Sequence, residues 1–380
     1  MMRAMKEVAK AVLPQPAADW IRVHVLKTPL PAPVRAAVTV PQLGKVLRKE
    51  EFAFVPHTDP RLVLEGAWER RGELAIGRGD DARVLWVGEE VELVFLVESH
   101  RWSAVAVVAR GEAQQAVDLY HWAAHAVAVP VPAGTGPVSL AVHSTNRAAE
   151  GTEIVLRGVF MRKAAQSGPP PLEVTQAVMN AQVDRWTENI IASGRKVEDV
   201  VAQRHAAYLL RWREVRPYIQ PGAHILDIGC GNFWTGLFEE IQSLQPASYT
   251  GFDIDARVIE NDSGRAQALG LTNFRFQEGV NDDLPFPESS IDFVFSSHSI
   301  EHSPDLARTF TAVRRILKKG SYFFFAVPLD VDLADEHQWI ISKEQWIRLP
   351  HEFGFEVRNV HIGNVYPEQG YDLAIVAQAV

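Results

Sequence analysis

Apolar and polar positions change their period once along the chain. From Trp20 to about residue 165 the apolar residues come in short runs, broken by Gly, Pro and Asp. Val91-Glu-Leu-Val-Phe-Leu-Val97 sets Val91, Leu93, Phe95 and Val97 on one face at period two, the pattern of a half-buried strand. Residues 102–109, 124–131, 137–143 and 153–160 read the same way, with turn material at 79–81, 88–90 and 132–136. Many short strands with little helical pattern between them predict a β-sandwich or jelly roll. Residues 1–19 read as a frayed helix and a Pro-interrupted tail. The run Gln166-Ser-Gly-Pro-Pro-Pro171 cannot continue a ladder and favours a stiff spacer. Beyond it the period becomes helical, over 172–191 and 197–218, the second segment offering Val200, Val201, Tyr208, Leu209 and Trp212 to one face. Strands then start near His224, Ser248, Asn273, Ile291 and Ser321, with helices near 235–243, 256–269 and 304–317, and a last strand pair over 355–361 and 371–379. Such alternation predicts a parallel sheet with helices on both faces. The expected organisation is a tail (1–19), a β-sandwich (20–165), a Pro-rich spacer (166–171) and an α/β domain (172–380).

Composition narrows the possibilities. A chain of 380 residues is long for one core, and 47% hydrophobic with 22% charged residues is ordinary for a globular protein. A net charge of −9 argues against nucleic acid as a partner, because phosphate backbones are held by clustered Lys and Arg. Cys230 is the single cysteine, which excludes an internal disulfide and suits a reducing, cytoplasmic setting. No apolar run approaches the roughly 18 to 20 residues of a membrane span, and residues 1–10 lack the features of a secretory signal.

The chemistry centres on Ile225-Leu-Asp-Ile-Gly-Cys-Gly-Asn-Phe233, a buried strand turning sharply through two glycines into a helix. Gly229 and Gly231 let a ligand lie against bare backbone. The next strand, Tyr249-Thr-Gly-Phe-Asp-Ile-Asp255, carries Asp253 at its tip, 22 residues after Gly231. A carboxylate at that spacing is the expected acceptor for ribose hydroxyls, so the pair predicts a nucleoside-binding half-sheet.

These residues resemble the class I methyltransferases that use S-adenosylmethionine. Leu226-Asp-Ile-Gly-Cys-Gly231 is similar to their first motif and Gly251-Phe-Asp253 to their second. Leu284–Phe295, Glu301-His-Ser-Pro-Asp305 and Leu317–Pro328 continue the pattern, so the resemblance runs from about Val197 to the C-terminus. It implies a Rossmann-like domain, S-adenosylmethionine as cofactor, and cofactor contacts from Asp227, Gly229, Cys230, Gly231, Asp253, Ile254, Asn281, Asp282 and Ser297. Asp227 either orders the turn or reaches the methionine end; the alternative is a carboxylate satisfied by loop N–H groups. Asp255, rather than Asp253, suits an N-cap. The sequence departs from the family at Phe233, where a third glycine is usual, and at Val280, where an Asp often meets adenine, leaving Asn281, Asp282 or backbone groups for the base. Cys230 has no base beside it and is not read as a nucleophile.

His298-Ser-Ile-Glu-His302 spells a zinc-peptidase pattern, but it directly follows a strand, and that chemistry needs both histidines on one helix. No metal is expected. His337 and His298 are instead candidate bases for a hydroxyl acceptor, each with a structural alternative, while His302 reads as a cap or packing residue. His205, Tyr208 and Trp234 could wall the pocket or belong to the core. In the N-terminal half, histidines 100, 121, 125 and 143 lack ligand spacing, and Trp68, Trp86, Trp102 and Trp122 read as core residues rather than a sugar-stacking platform. The implied activity is O-methylation of a hydroxylated small molecule or glycan precursor, homo-oligomerisation remaining open. The alternatives are N- or C-methylation, macromolecule methylation, or a fold that binds without catalysis.

Overall fold

The computed structural model describes residues 46–88, 91–144, 149–163, 192, 194, 196–231, 235–331, 333, 337–363 and 370–380. The expected tail, spacer and 172–191 helix, together with Phe233 and Trp234, lie outside the described residues. Contacts divide the chain into two units. The first comprises Met1–Gln166 with Leu329–Asp332 and Ile340–Ser342; the second comprises Ser167–Pro328, Leu333–Trp339 and Lys343–Val380. Two short segments within the expected 172–380 domain therefore group with the first unit.

The first unit is built from β1 (Phe52–Pro56), β2 (Leu62–Arg71), β3 (Leu74–Trp86), β4 (Leu93–Ser99), β5 (Val105–Arg110), β6 (Ala113–Asp118), β7 (His125–Pro130), β8 (Val138–Ser144) and β9 (Glu153–Arg162). They hydrogen-bond in the order β6-β5-β8-β3-β9-β4-β7, with β2 on β3 and β1 on β9. β3 pairs with β9 through Ala75–Arg78 and with β8 through Arg83–Trp86, so a long strand changes partners and links the pairs into one antiparallel network. β4 departs from its sequence pattern. Leu93, Phe95 and Val97 join one core cluster as the alternation predicts, but Val94 and Leu96 are buried too. Their cluster includes Phe52, Ala126, Phe160, Val331 and Ile340, the last two supplied by the distant segments. Burying each Val, Leu, Ile or Phe side chain of this cluster contributes about 1.5–3 kcal/mol. Val331 N–H donates to the Ala126 carbonyl at 3.0 Å and Asp330 Oδ1 accepts from Ala126 N–H at 2.6 Å. Trp86 and Trp122 are buried and Trp68 packs against the core, while Trp102 is exposed, so the four form no common stacking surface.

The second unit contains α1 (Val197–Val215), β10 (His224–Ile228), α2 (Thr235–Gln242), β11 (Ser248–Asp253), α3 (Ala256–Ala268), β12 (Phe274–Glu278), β13 (Ile291–Ser297), α4 (Leu306–Ile316), β14 (Leu317–Pro328), α5 (Lys343–Glu352), β15 (Phe355–Gly363) and β16 (Asp372–Ala379). Its seven-stranded sheet runs β12-β11-β10-β13-β14-β16-β15. The first five are parallel; β16 is antiparallel to both β14 and β15. The strand order reverses between β10 and β13, and it is outside the carboxyl ends at such a point that α/β sheets bind ligands. Helix α4 shows why the sequence folds this way: Leu306, Phe310 and Val313 recur at helical spacing and are all buried, while Asp305 caps its first turn by accepting from Arg308 N–H. Trp212 of α1 stacks on Phe295 of β13 with ring centroids 4.2 Å apart. No helix among the described residues is long and apolar enough to cross a membrane.

Candidate active site

β10 delivers its chain into Gly229 and Gly231, both in the left-handed region at φ 73° and 58°. A Cβ on Gly229 would lie 2.3 Å from Ser299 Oγ, so the strand end can approach the loop after β13 only without a side chain. Among the described residues, a Cβ on Gly231 would meet nothing within 4 Å. Gly229 and Cys230 donate their N–H groups to the Phe252 carbonyl at 2.7 and 3.3 Å, tying the turn to the end of β11. Cys230 is buried, and burial with neighbouring carboxylates pushes its thiol well up, as an inert small residue requires.

Asp253 ends β11 with its carboxylate turned toward the glycine turn. Oδ2 accepts from Gly231 N–H and Oδ1 from Asp255 N–H, each at 3.0 Å. Burial raises its pKa, against the backbone donors that favour the anion. Each oxygen keeps lone-pair capacity for a further donor. Asp255 accepts from Arg257 N–H and caps α3, as its position predicts, and Ile254 between the two acids is half-buried.

Asp227 is fully buried, and its partners are not the loop N–H groups considered as one alternative. Tyr208 of α1 donates to both oxygens at 3.0 Å, and Tyr249 of β11 donates to Oδ2 at 2.7 Å. Burial pushes its pKa up to about 7, the two phenols opposing that shift. One local signal points to Tyr249. Gly251 sits opposite Asp227 in the β10–β11 register, leaving room for the hydroxyl two residues earlier on the same face.

The loop after β12 braces the site. Asn281 Nδ2 donates to Ser299 O, Ser299 Oγ and Ser303 Oγ at 3.2–3.3 Å. Asp282 lies 3.8 Å from Arg308, and burial raises its pKa. At the end of β13 the Ser296 and Ser297 hydroxyls are buried without a hydrogen-bond partner among the described residues. His298 follows at φ 52°, a left-handed conformation uncommon outside glycine and characteristic of functional turns. Its N–H donates to the Ala326 carbonyl at 2.8 Å, and its ring lies between two acids, Nδ1 3.7 Å from Glu301 and Nε2 3.7 Å from Asp372. Asp372 is held by Arg211, which is fully buried on α1 and also pairs with Glu214 at 2.7 Å. Burial opposes the charge on Asp372, but Arg211 and His298 outweigh it and hold the carboxyl below its usual range. Neither Arg211 nor Asp372 was a sequence candidate; they are 161 positions apart and only the fold joins them. His337 stands with His302, ring centroids 4.9 Å apart, rather than with His298.

The turn thus combines bare backbone, an anionic acceptor beside it and two unsatisfied buried hydroxyls. These features fit an adenosyl ligand, with donors and acceptors for a ribose and close access along the glycines.

Residues 219–350 match the family described as a methyltransferase domain. The chain is 30% identical over 174 residues to the sterol 24-C-methyltransferase ERG6B of Gibberella zeae, covering 44% of this chain and 43% of that protein. It is 33% identical over 104 residues to the fatty-acid O-methyltransferase of Mycolicibacterium smegmatis, covering 27% and 36%. The chain thus spans less than half the length of these two curated relatives. Among solved structures, it aligns with an S-adenosylmethionine-dependent methyltransferase from Mesorhizobium loti at 20% identity and a TM-score of 0.38, covering 46% of this chain and 99% of that one.

Proposed function

We propose, on the premise that the C-terminal unit is a class I methyltransferase domain that uses S-adenosylmethionine, that the whole protein methylates a hydroxyl of a small molecule, with a sugar or glycan precursor among the acceptors. Asp253 would accept from the ribose hydroxyls, and the backbone at Gly229 and Gly231 would run along the cofactor. Ser297 and Ile254 would line it, Asn281 and Asp282 would face the base, and Asp227 would act as a positioning residue from behind the turn. S-adenosylmethionine supplies, when bound, an electrophilic methyl group on a sulfonium. The protein's task is to align the acceptor oxygen with that methyl and to exclude water.

His298 is the proposed general base. The observation that carries this is its place at the mouth of β13, its ring flanked by the carboxylates of Glu301 and Asp372. One carboxylate behind the imidazole would orient the ring and stabilise the imidazolium, while the other ring nitrogen would turn to the acceptor hydroxyl and take its proton. His337, the other sequence candidate, would act from beside Glu301 and His302. The relatives include C- and O-methyltransferases of sterols and fatty acids, which supports a small-molecule acceptor. N- or C-methylation is the second reading.

The test is an acceptor screen with isotopically labelled cofactor, read by mass spectrometry, on wild type and His298→Ala. Expected is a hydroxylated acceptor whose turnover falls by at least about 100-fold in the variant while cofactor affinity holds. Turnover within tenfold of wild type would remove His298 as base.

A further inference from the structure

Glu301 has a side chain only 5% exposed, and neither of its carboxylate oxygens has a hydrogen-bond partner among the described residues. A buried carboxylate in that condition is destabilising unless a cation compensates it. Imidazoles surround it: His302 Nε2 is 3.9 Å from Glu301 Oε1, and His298 Nδ1 is 3.7 Å away. His337 arrives from the segment after β14, its ring tilted 47° to that of His302. One ligand atom from each of Glu301, His302 and His337 lies within 4.8 Å of the other two. The backbone holds these segments together. Gln338 N–H donates to the Glu301 carbonyl at 3.4 Å, and Trp339 Nε1 donates to the Ser303 carbonyl at 2.8 Å.

We infer that Glu301, His302 and His337 form a binding site for a divalent first-row transition-metal ion, zinc or a neighbour in the series. Two imidazole nitrogens and one carboxylate oxygen are the donors such ions take. Metal–ligand bonds of about 2.0–2.2 Å require the three atoms to draw together by roughly an ångström, within the reach of side-chain torsions. Three protein donors leave positions open for an oxygen of a bound molecule. The sequence reading expected no metal on the histidine pair 298 and 302; the two share no helix, since Ile300–His302 is a single 3-10 turn and His298 precedes it at φ 52°. The third donor is His337, 35 positions beyond His302, which no local pattern announces. The site stands on its donors alone and does not depend on methyl transfer.

The full chain, stripped with chelator and dialysed against Zn²⁺ or Co²⁺, is expected to take up one equivalent, with visible Co²⁺ absorption bands and a raised thermal midpoint. Glu301→Gln and His337→Ala should weaken uptake by more than about 100-fold and abolish the midpoint shift, since losing a ligand exceeds the loss from an outer partner. His298→Ala should bind within about tenfold of wild type. Glu301→Gln removes a buried charge without changing shape, so its metal-free midpoint should not fall below wild type, which separates lost binding from lost fold. No stoichiometric uptake by wild type overturns the inference, as does a metal retained in His337→Ala but lost in His298→Ala.

Discussion

Gly229→Ala is the sharpest perturbation of the turn. The residue sits at φ 73°, where a Cβ costs about 1–2 kcal/mol of backbone strain. The new methyl would also lie 2.3 Å from Ser299 Oγ and 2.4 Å from Ser299 Cβ. Ser299 cannot step aside freely, because Asn281 donates to both its carbonyl and its hydroxyl. Relieving that overlap adds roughly 1–3 kcal/mol, so the variant should lose about 2–5 kcal/mol in urea unfolding and bind S-adenosylmethionine more weakly in calorimetry. The two parts separate by a second substitution. Ser299→Ala keeps the Cβ and should not rescue. Ser299→Gly removes both close atoms and should recover the overlap share, leaving the strain, with a coupling energy of about 1–3 kcal/mol in the double-mutant cycle. A Gly229→Ala protein with the wild-type midpoint and cofactor affinity would refute the reasoning, as would equal rescue by the two Ser299 changes.

The remaining tests address separate features. Asp253→Ala removes the acceptor shared by Gly231 N–H, Asp255 N–H and the proposed ribose contact, so cofactor affinity should drop by about tenfold or more in calorimetry. Asp227 has a folded pKa raised to about 7, so the native state binds its proton more tightly and stability falls as pH rises from about 4 through 7. Asp227→Asn should flatten that slope, a difference on the order of 4 kcal/mol across the window in urea titrations; an unchanged slope would remove the assignment. Arg211→Met leaves Asp372 buried with its strongest partner gone and should cost about 3–5 kcal/mol, measured by the same unfolding; a cost below 1 would count against a compensated pair. Cys230 should resist a thiol reagent at pH 8 in the native state and react on unfolding, a clean readout because it is the only cysteine; fast native labelling would contradict its burial.

The glycine turn and Asp253 were legible because backbone shape there demands particular residues a fixed distance apart. The strands and helices the sequence placed in the second unit start within a few residues of their positions, apart from β14, which begins at Leu317 rather than near Ser321, while α5 had no place in that pattern. What stayed hidden was long-range. Tyr208 and Tyr249 meet Asp227 from two other elements, and Arg211 meets Asp372 only through the sheet order. β2 escaped notice because most of its residues are at least partly exposed, so no apolar alternation marks it. The cluster that buries Val94 and Leu96 draws two of its members, Val331 and Ile340, from more than 200 positions later.

That dependence bears on how the protein can be divided or inherited. A gene split after Gln166 would separate Val331 and Ile340 from the cluster they complete, exposing Val94 and Leu96 on one fragment and two orphaned aliphatics on the other. The amino-terminal sheet is therefore no detachable cassette, and shuffling between genes must carry both halves together.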